Sequence, residues 1–221
     1  MDREGRSAAD IRRAWLARLG RPIALDFPFF AVDDAFAVGG GRTVALGELG
    51  TGRVAAGDAL EAVGLGPAPV PVVVARVERP APDGRGVVPV AAGEAGETLG
   101  LTLEHAPGAA VVAGQCVAPP GRLAAAATLD AEVWVLSADD LPGSPVELRR
   151  MLADVAQGRG LELFVHTRPV AARAARWRPE LGAEYGLTLT LAHPVAVYPG
   201  ARFALRYAGL TFGVGTVERA P

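Results

Sequence analysis

The chain has 221 residues, 50% of them hydrophobic and 21% charged, with 22 basic against 24 acidic residues and a formal net charge of −2. Such a composition buries a core and excludes disorder, the length accommodates one large domain or two modules of about 100 residues, and the balanced charge offers no global attraction to phosphate. Every apolar run falls short of the roughly 18 residues that a membrane helix needs, and Met1 to Arg13 holds Asp2, Glu4 and Asp10 without a signal-peptide core, so a cytoplasmic location without membrane association is expected.

Taken in chain order, the first element is a helix over residues 7–19. Ser7 is its N-cap, Asp10 stands at the capping-box position, and Ile11, Trp15 and Leu19 recur every fourth residue on one face. From Phe27 the pattern changes to short apolar runs punctuated by Gly, Pro and Asp: Phe36–Val38, Thr43–Leu46, Val54, Ala59–Val63, Val70–Val77, Glu97–Glu104 and Val111–Val117. This is the signature of an antiparallel barrel. Pro119, Pro120 and Gly121 break it and mark a domain boundary. A second series opens with Leu129–Leu136, where Ala131, Val133 and Val135 alternate with Glu132, Trp134 and Leu136, so both faces are expected to be partly buried. Ser144-Pro145-Val146-Glu147 then sets an N-cap, a proline at the first helical position and a capping-box glutamate before Leu148, Met151, Leu152 and Val155; Gly158 ends that helix. Strands resume at Leu161–Val165, Gly186–Leu191, Ala201–Tyr207 and Leu210–Val217.

Several chemistries are excluded by what the sequence lacks. All basic residues are arginine, as in a GC-rich coding sequence, and without lysine neither the phosphate-binding G-x-x-x-x-G-K-[ST] loop nor a Schiff base can form within this chain. Cys116 is the single cysteine, which rules out an intramolecular disulfide or a thiolate metal site and reads as a buried, inert thiol. His105, His166 and His193 are too widely spaced for a local metal motif, and no serine lies in G-x-S-x-G. The chain is therefore expected to be non-enzymatic, with no cofactor and no metal.

Three stretches carry a resemblance. Pro28-Phe29-Phe30-Ala31-Val32-Asp33-Asp34-Ala35-Phe36-Ala37-Val38 is followed by Thr43-Val44, Gly47, Gly52 and Gly57-Asp58; Ala131-Glu132-Val133-Trp134-Val135-Leu136-Ser137 is followed by Leu189-Thr190-Leu191-Ala192-His193-Pro194; the chain closes on Gly200–Arg206 and Gly213-Val214-Gly215-Thr216-Val217. Together they resemble the second and third domains of bacterial elongation factor Tu. The resemblance implies an all-β fold of two antiparallel β-barrels, 27–120 like domain II and 121–221 like domain III, with a helical extension at 1–26 and one helix inserted in the second barrel. The residues before the first barrel hold no nucleotide motif, so no GTPase activity is expected of this chain.

In that family domain II lends a pocket to the aminoacylated 3′ end of tRNA. The resemblance puts Asp33, Asp34 and Phe36 at its amino-acid end, Glu78 near the terminal adenosine, and Thr98 where the family has asparagine. Read from the residues alone, Phe36 is equally a core or rim aromatic, and Asp33-Asp34 a solvated turn or a carboxylate pair. Leu46 and Glu48 replace a threonine and an arginine of the family, and Leu141-Pro142-Gly143 with the following helix replaces a basic loop that faces tRNA. The principal expectation is thus a binding module that docks a protein partner, namely a GTPase domain, an exchange factor or a regulator; an RNA-binding module keeping part of the 3′-end pocket for aminoacyl-tRNA is the alternative. Candidate partner contacts are Trp15 on the first helix, Arg149 and Arg150 on the second, and Arg176, Trp177 and Arg178 in a basic aromatic cluster that is otherwise a solvated hairpin loop.

Overall fold

Ser7 accepts a hydrogen bond from the Asp10 backbone N–H at 3.2 Å, which caps α1 (Ala8–Leu19). The computed structural model describes residues 7–21, 25–66, 68–166, 168–174 and 177–219. After α1 come β1 (Phe29–Gly39), β2 (Arg42–Thr51), β3 (Arg53–Ala55), β4 (Ala59–Val63), β5 (Val70–Pro80), β6 (Val87–Val90), β7 (Ala92–Glu94), β8 (Thr98–His105) and β9 (Cys116–Ala118). The ring β4-β9-β1-β2-β8-β5 closes through the β4–β5 pairing, with β6 added outside it. In β2 the pleat sends Thr43, Ala45, Leu49 and Thr51 inward and Val44, Leu46 and Glu48 outward. The enclosed core includes Phe30, Val32, Leu49, Val77 and Leu101.

The second barrel is built from β10 (Ala124–Val135), β11 (Leu161–Val165), β12 (Arg168–Ala174), β13 (Glu184–Val197), β14 (Arg202–Tyr207) and β15 (Leu210–Arg219), closed in the order β10-β13-β12-β11-β14-β15. All pairings in both barrels are antiparallel, so the fold is the expected pair of all-β barrels with two helices. β12 was absent from the sequence pattern because Arg-Pro-Val-Ala-Ala-Arg-Ala holds a single strand-favouring residue, Val170, beside a proline; it is held as a strand by ladders to β11 and β13 on its two sides. Conversely, of the expected 111–117 strand only Cys116 and Val117 join a ladder, which runs on to Ala118. The Gln115 side chain there accepts from the Val112 N–H and donates to the Gly64 carbonyl instead.

Between β10 and β11, α2 (Pro145–Ala156) carries the complete capping box of Ser144 and Glu147, and its Leu148, Met151, Leu152 and Val155 are buried in the second-barrel core. The apolar stripes of both helices are covered by the chain itself. The apolar stripe of α2 faces its own barrel, and α1 lies across the outside of the same barrel. Ile11 and Trp15 cover Trp134, which points outward from β10 while Val133 and Val135 point inward. Arg202 on β14 donates to the Leu19 carbonyl (2.7 Å) and the Arg18 carbonyl (3.1 Å), placing a cation at the negative end of α1.

The barrels share one continuous apolar cluster, to which the first contributes Phe27, Phe29, Val63 and Cys116. In β13 a single position of β10 faces residues 191–194, so His193 and Pro194 lie in a bulge, where a proline lacking its N–H is tolerated. The freed Pro194 carbonyl accepts the N–H of Leu65 from the first barrel at 2.8 Å.

Candidate functional site

Strand register gathers most of the pocket candidates on the outer face of the first barrel. Asp34 pairs with Leu46, Leu46 with Gly100, Gly100 with Glu78 and Glu78 with Pro89, one row across β1, β2, β8, β5 and β6. The adjacent outward row is Phe36, Val44, Thr102 and Arg76, and on the other side Glu48 pairs with Thr98. Phe36 is 50% exposed and Leu46 38% exposed, so the aromatic is neither core nor sealed. As Phe36 stands opposite Val44, Leu46 is its diagonal neighbour on the same face. The Leu46 and Glu78 side chains flank Gly100, where a Cβ would meet Leu46 Cδ2 at 3.3 Å and Glu78 Cβ at 3.9 Å.

The charge on this face is mostly negative. Asp33, Asp34, Glu48 and Glu104 are exposed, and Glu78 is paired with Arg76 at 3.1 Å. Asp33 sits at the irregularity between Val32 and Asp34, outside the row of its neighbour, and Asp34 accepts the Ala35 N–H at 2.9 Å, as in a turn-like carboxylate. The two aspartates therefore stand in different register positions.

Among the partner-contact candidates, Trp15 and Trp177 are corrected to buried positions. Trp15 is 2% exposed, and its Nε1 donates to Glu184 Oε1 at 2.8 Å. Trp177 is 5% exposed and packs edge-on to Tyr185 and against Phe212, with ring centroids 5.8 and 6.1 Å away. An indole reaching the core directly after β12 is incompatible with a solvated loop anchor. Arg176 lies outside the described residues. Arg149, Arg150 and Arg178 are exposed and border two grooves along α2: one of about 410 Å³, with Arg149, Arg178 and Leu181, and one of about 600 Å³, with Arg150, Met151, Tyr207 and Leu210.

A third feature had no sequence signal beyond two isolated histidines. A cleft of about 230 Å³ runs between the barrels, lined by Leu65 and Gly114 from the first and by His166, Arg168, Pro169 and His193 from the second. His166 occupies the β11–β12 turn with φ 57°, a left-handed conformation that glycine or asparagine fills more readily. Its ring packs on Phe29 at 5.0 Å and on Tyr198 at 6.3 Å, and its Nε2–H donates to the Ala196 carbonyl at 2.9 Å. A carbonyl only accepts, so the proton of the neutral ring is on Nε2 and Nδ1 is bare. Burial pushes the His166 pKa below its ordinary 6.5, against a smaller opposing effect of the Ala196 hydrogen bond. The contribution of His166 to stability is thus complete above pH 6.5 and is lost as pH falls through the lowered folded value, because the unfolded chain takes up the proton first. In chloride buffer the urea midpoint is expected to drop between pH 7 and pH 5, and His166→Asn, which keeps the left-handed turn, is expected to flatten that slope. An unchanged slope in the variant would assign the pH dependence elsewhere.

Burial raises the Cys116 thiol well above its ordinary range, which makes it a poor nucleophile. Among the described residues no group of three or more His, Cys, Asp or Glu side chains could hold a metal ion, and no helix is long and apolar enough to cross a membrane. No protein-family model matches the sequence.

Proposed function

We propose that this chain is a non-catalytic binding module, similar to the two barrels of elongation factor Tu, that docks a protein partner through the outer face of its first barrel. The observation that carries this reading is the exposed pair Phe36 and Leu46 on one sheet face, which also carries the exposed Asp34, Glu48 and Glu104, the last opposite Arg42. Aromatic and apolar side chains left uncovered at the centre of a charged rim are the usual anchors of an interface. A carboxylate rim selects a partner with a basic surround and repels a phosphate backbone. The partner classes the resemblance implies are a GTPase domain, an exchange factor or a regulator. A second reading, an RNA module for the aminoacylated 3′ end, draws support from Asp34, Phe36, Glu78 and Thr98 sharing that face.

Affinity capture with the wild-type chain and with Leu46→Arg separates these. A partner held by the wild type, lost from Leu46→Arg and weakened at least about thirtyfold by Phe36→Ala is expected, from the roughly 2 kcal/mol that a central anchor contributes. The complex is also expected to weaken with salt. A partner retained by Leu46→Arg would overturn the assignment of this face. Saturable binding of aminoacyl-tRNA at low salt, abolished by Phe36→Ala, would transfer the face to RNA.

A further inference from the structure

We propose that the cleft between the barrels is a binding site for a small oxyanion, a phosphate or a carboxylate group, held by the Arg168 guanidinium with His166 and His193 beside it. The site is separate from the outer face of the first barrel, and the proposal does not depend on what that face docks.

Three observations carry it. First, Arg168 lines the cleft together with His166 and His193, and among the described residues no carboxylate lines it. Second, the side chain of the exposed Arg168 makes no ion pair or hydrogen bond, although nine other arginines are paired with carboxylates among the described residues. Its stem is nevertheless positioned: a Cβ placed on Gly114 of the first barrel would meet Arg168 Cδ at 3.1 Å and Cγ at 3.6 Å, so the side chain lies across the seam at a point where a larger residue would displace it. Gly114 itself has φ 95°, and the close approach and the backbone conformation both call for glycine. Third, the turn between β11 and β12 uses histidine at φ 57° where a residue without an imidazole would suit the backbone better. The ring that results is anchored through Nε2 to Ala196, which leaves Nδ1 as the atom able to gain a proton.

A guanidinium donates two parallel hydrogen bonds to a carboxylate or phosphate. The volume of about 230 Å³ admits such a group with part of the molecule that bears it. The groups surrounding His166 are Arg168 on β12, His193 on β13, and Tyr198, on which Cys116 of β9 and Arg202 of β14 act in turn. None of these supplies a fixed negative charge at neutral pH, so an entering anion is the counter-charge that the cleft lacks. Because the lining comes from both barrels, an occupied cleft also fastens one barrel to the other.

The test is calorimetric titration of the full chain with inorganic phosphate and, in a second arm, acetate, each against sodium chloride at matched ionic strength. Saturable 1:1 binding in either arm is expected, and the tighter arm identifies phosphate or carboxylate as the natural group. Arg168→Ala is expected to weaken it about tenfold or more, Arg168→Lys to restore part of the loss, and Arg173→Ala, an exposed arginine on the same strand, to leave it unchanged. Circular dichroism of each variant separates loss of the site from loss of the fold. Absence of saturable binding in both arms, or equal weakening by Arg168→Ala and Arg173→Ala as for an adventitious ion only, would overturn the proposal.

Discussion

Gly47→Ala is expected to break the first barrel, with a loss of about 3 kcal/mol or more, the upper end of what overpacking costs. Gly47 sits in β2 opposite Val32, at the irregularity of β1. A Cβ there would overlap the Ala31 carbonyl oxygen, and it would lie 3.0 Å from the Ala31 carbonyl carbon and 3.1 Å from Phe30 Cζ. The obstacle is backbone, which cannot swing aside as the end of a side chain can. Relief requires β1 and β2 to separate, and Leu46 and Phe36 of the candidate docking face stand on those two strands. Partner binding should therefore fall together with stability. Far-ultraviolet circular dichroism during urea unfolding measures the loss, and a midpoint equal to that of the wild type would show that the two strands relax at small cost. Tryptophan fluorescence serves as the internal comparison, because Trp15 lies in α1, Trp134 in β10 and Trp177 between β12 and β13 of the second barrel.

Trp15→Ala is expected to cost about 3–5 kcal/mol and to release α1 from the second barrel. The indole is buried against Trp134, hydrogen-bonded to Glu184 and covered by the Arg18 guanidinium 4.9 Å from its ring centre. Truncation removes that area and opens Trp134 to water, so its emission should shift to the red. Local unfolding of the released helix then lets trypsin cleave at Arg12, Arg13 and Arg18, whose side chains are already exposed. Trp15→Phe keeps most of the buried area without the hydrogen bond and is expected to lose less. Unaltered trypsin resistance in Trp15→Ala would show that Arg202 and the Arg12–Asp140 ion pair of 2.8 Å hold the helix without the indole.

Legibility of the candidate site from sequence was uneven. Phe36 and Asp34 are close together in the chain, but Glu78 and Thr98 meet them only through the pairing of β1 with β2, β2 with β8 and β8 with β5. The resemblance to elongation factor Tu nominated these residues; the register decides that they face the same way. For Trp177 composition misled, since a tryptophan among arginines reads as a surface anchor. Packing against Tyr185 and Phe212 outweighs that neighbourhood because burying so large an apolar ring is worth more than local polarity. The inter-barrel cleft was not legible at all, as Leu65, Gly114, His166, Arg168 and His193 belong to four separate segments.

By itself the sequence determined what is local. Ser7, and Ser144 with Glu147, specify helix starts because their side chains bond backbone groups three residues away. The period-two alternation of β2 and β10 specifies strands with a buried face because successive side chains point to opposite sides. Only the tertiary structure decided what covers each face. An apolar stripe records that burial occurs without recording the partner, so the stripes of α1 and α2 are satisfied by the chain's own second barrel, while Phe36 and Leu46 remain uncovered.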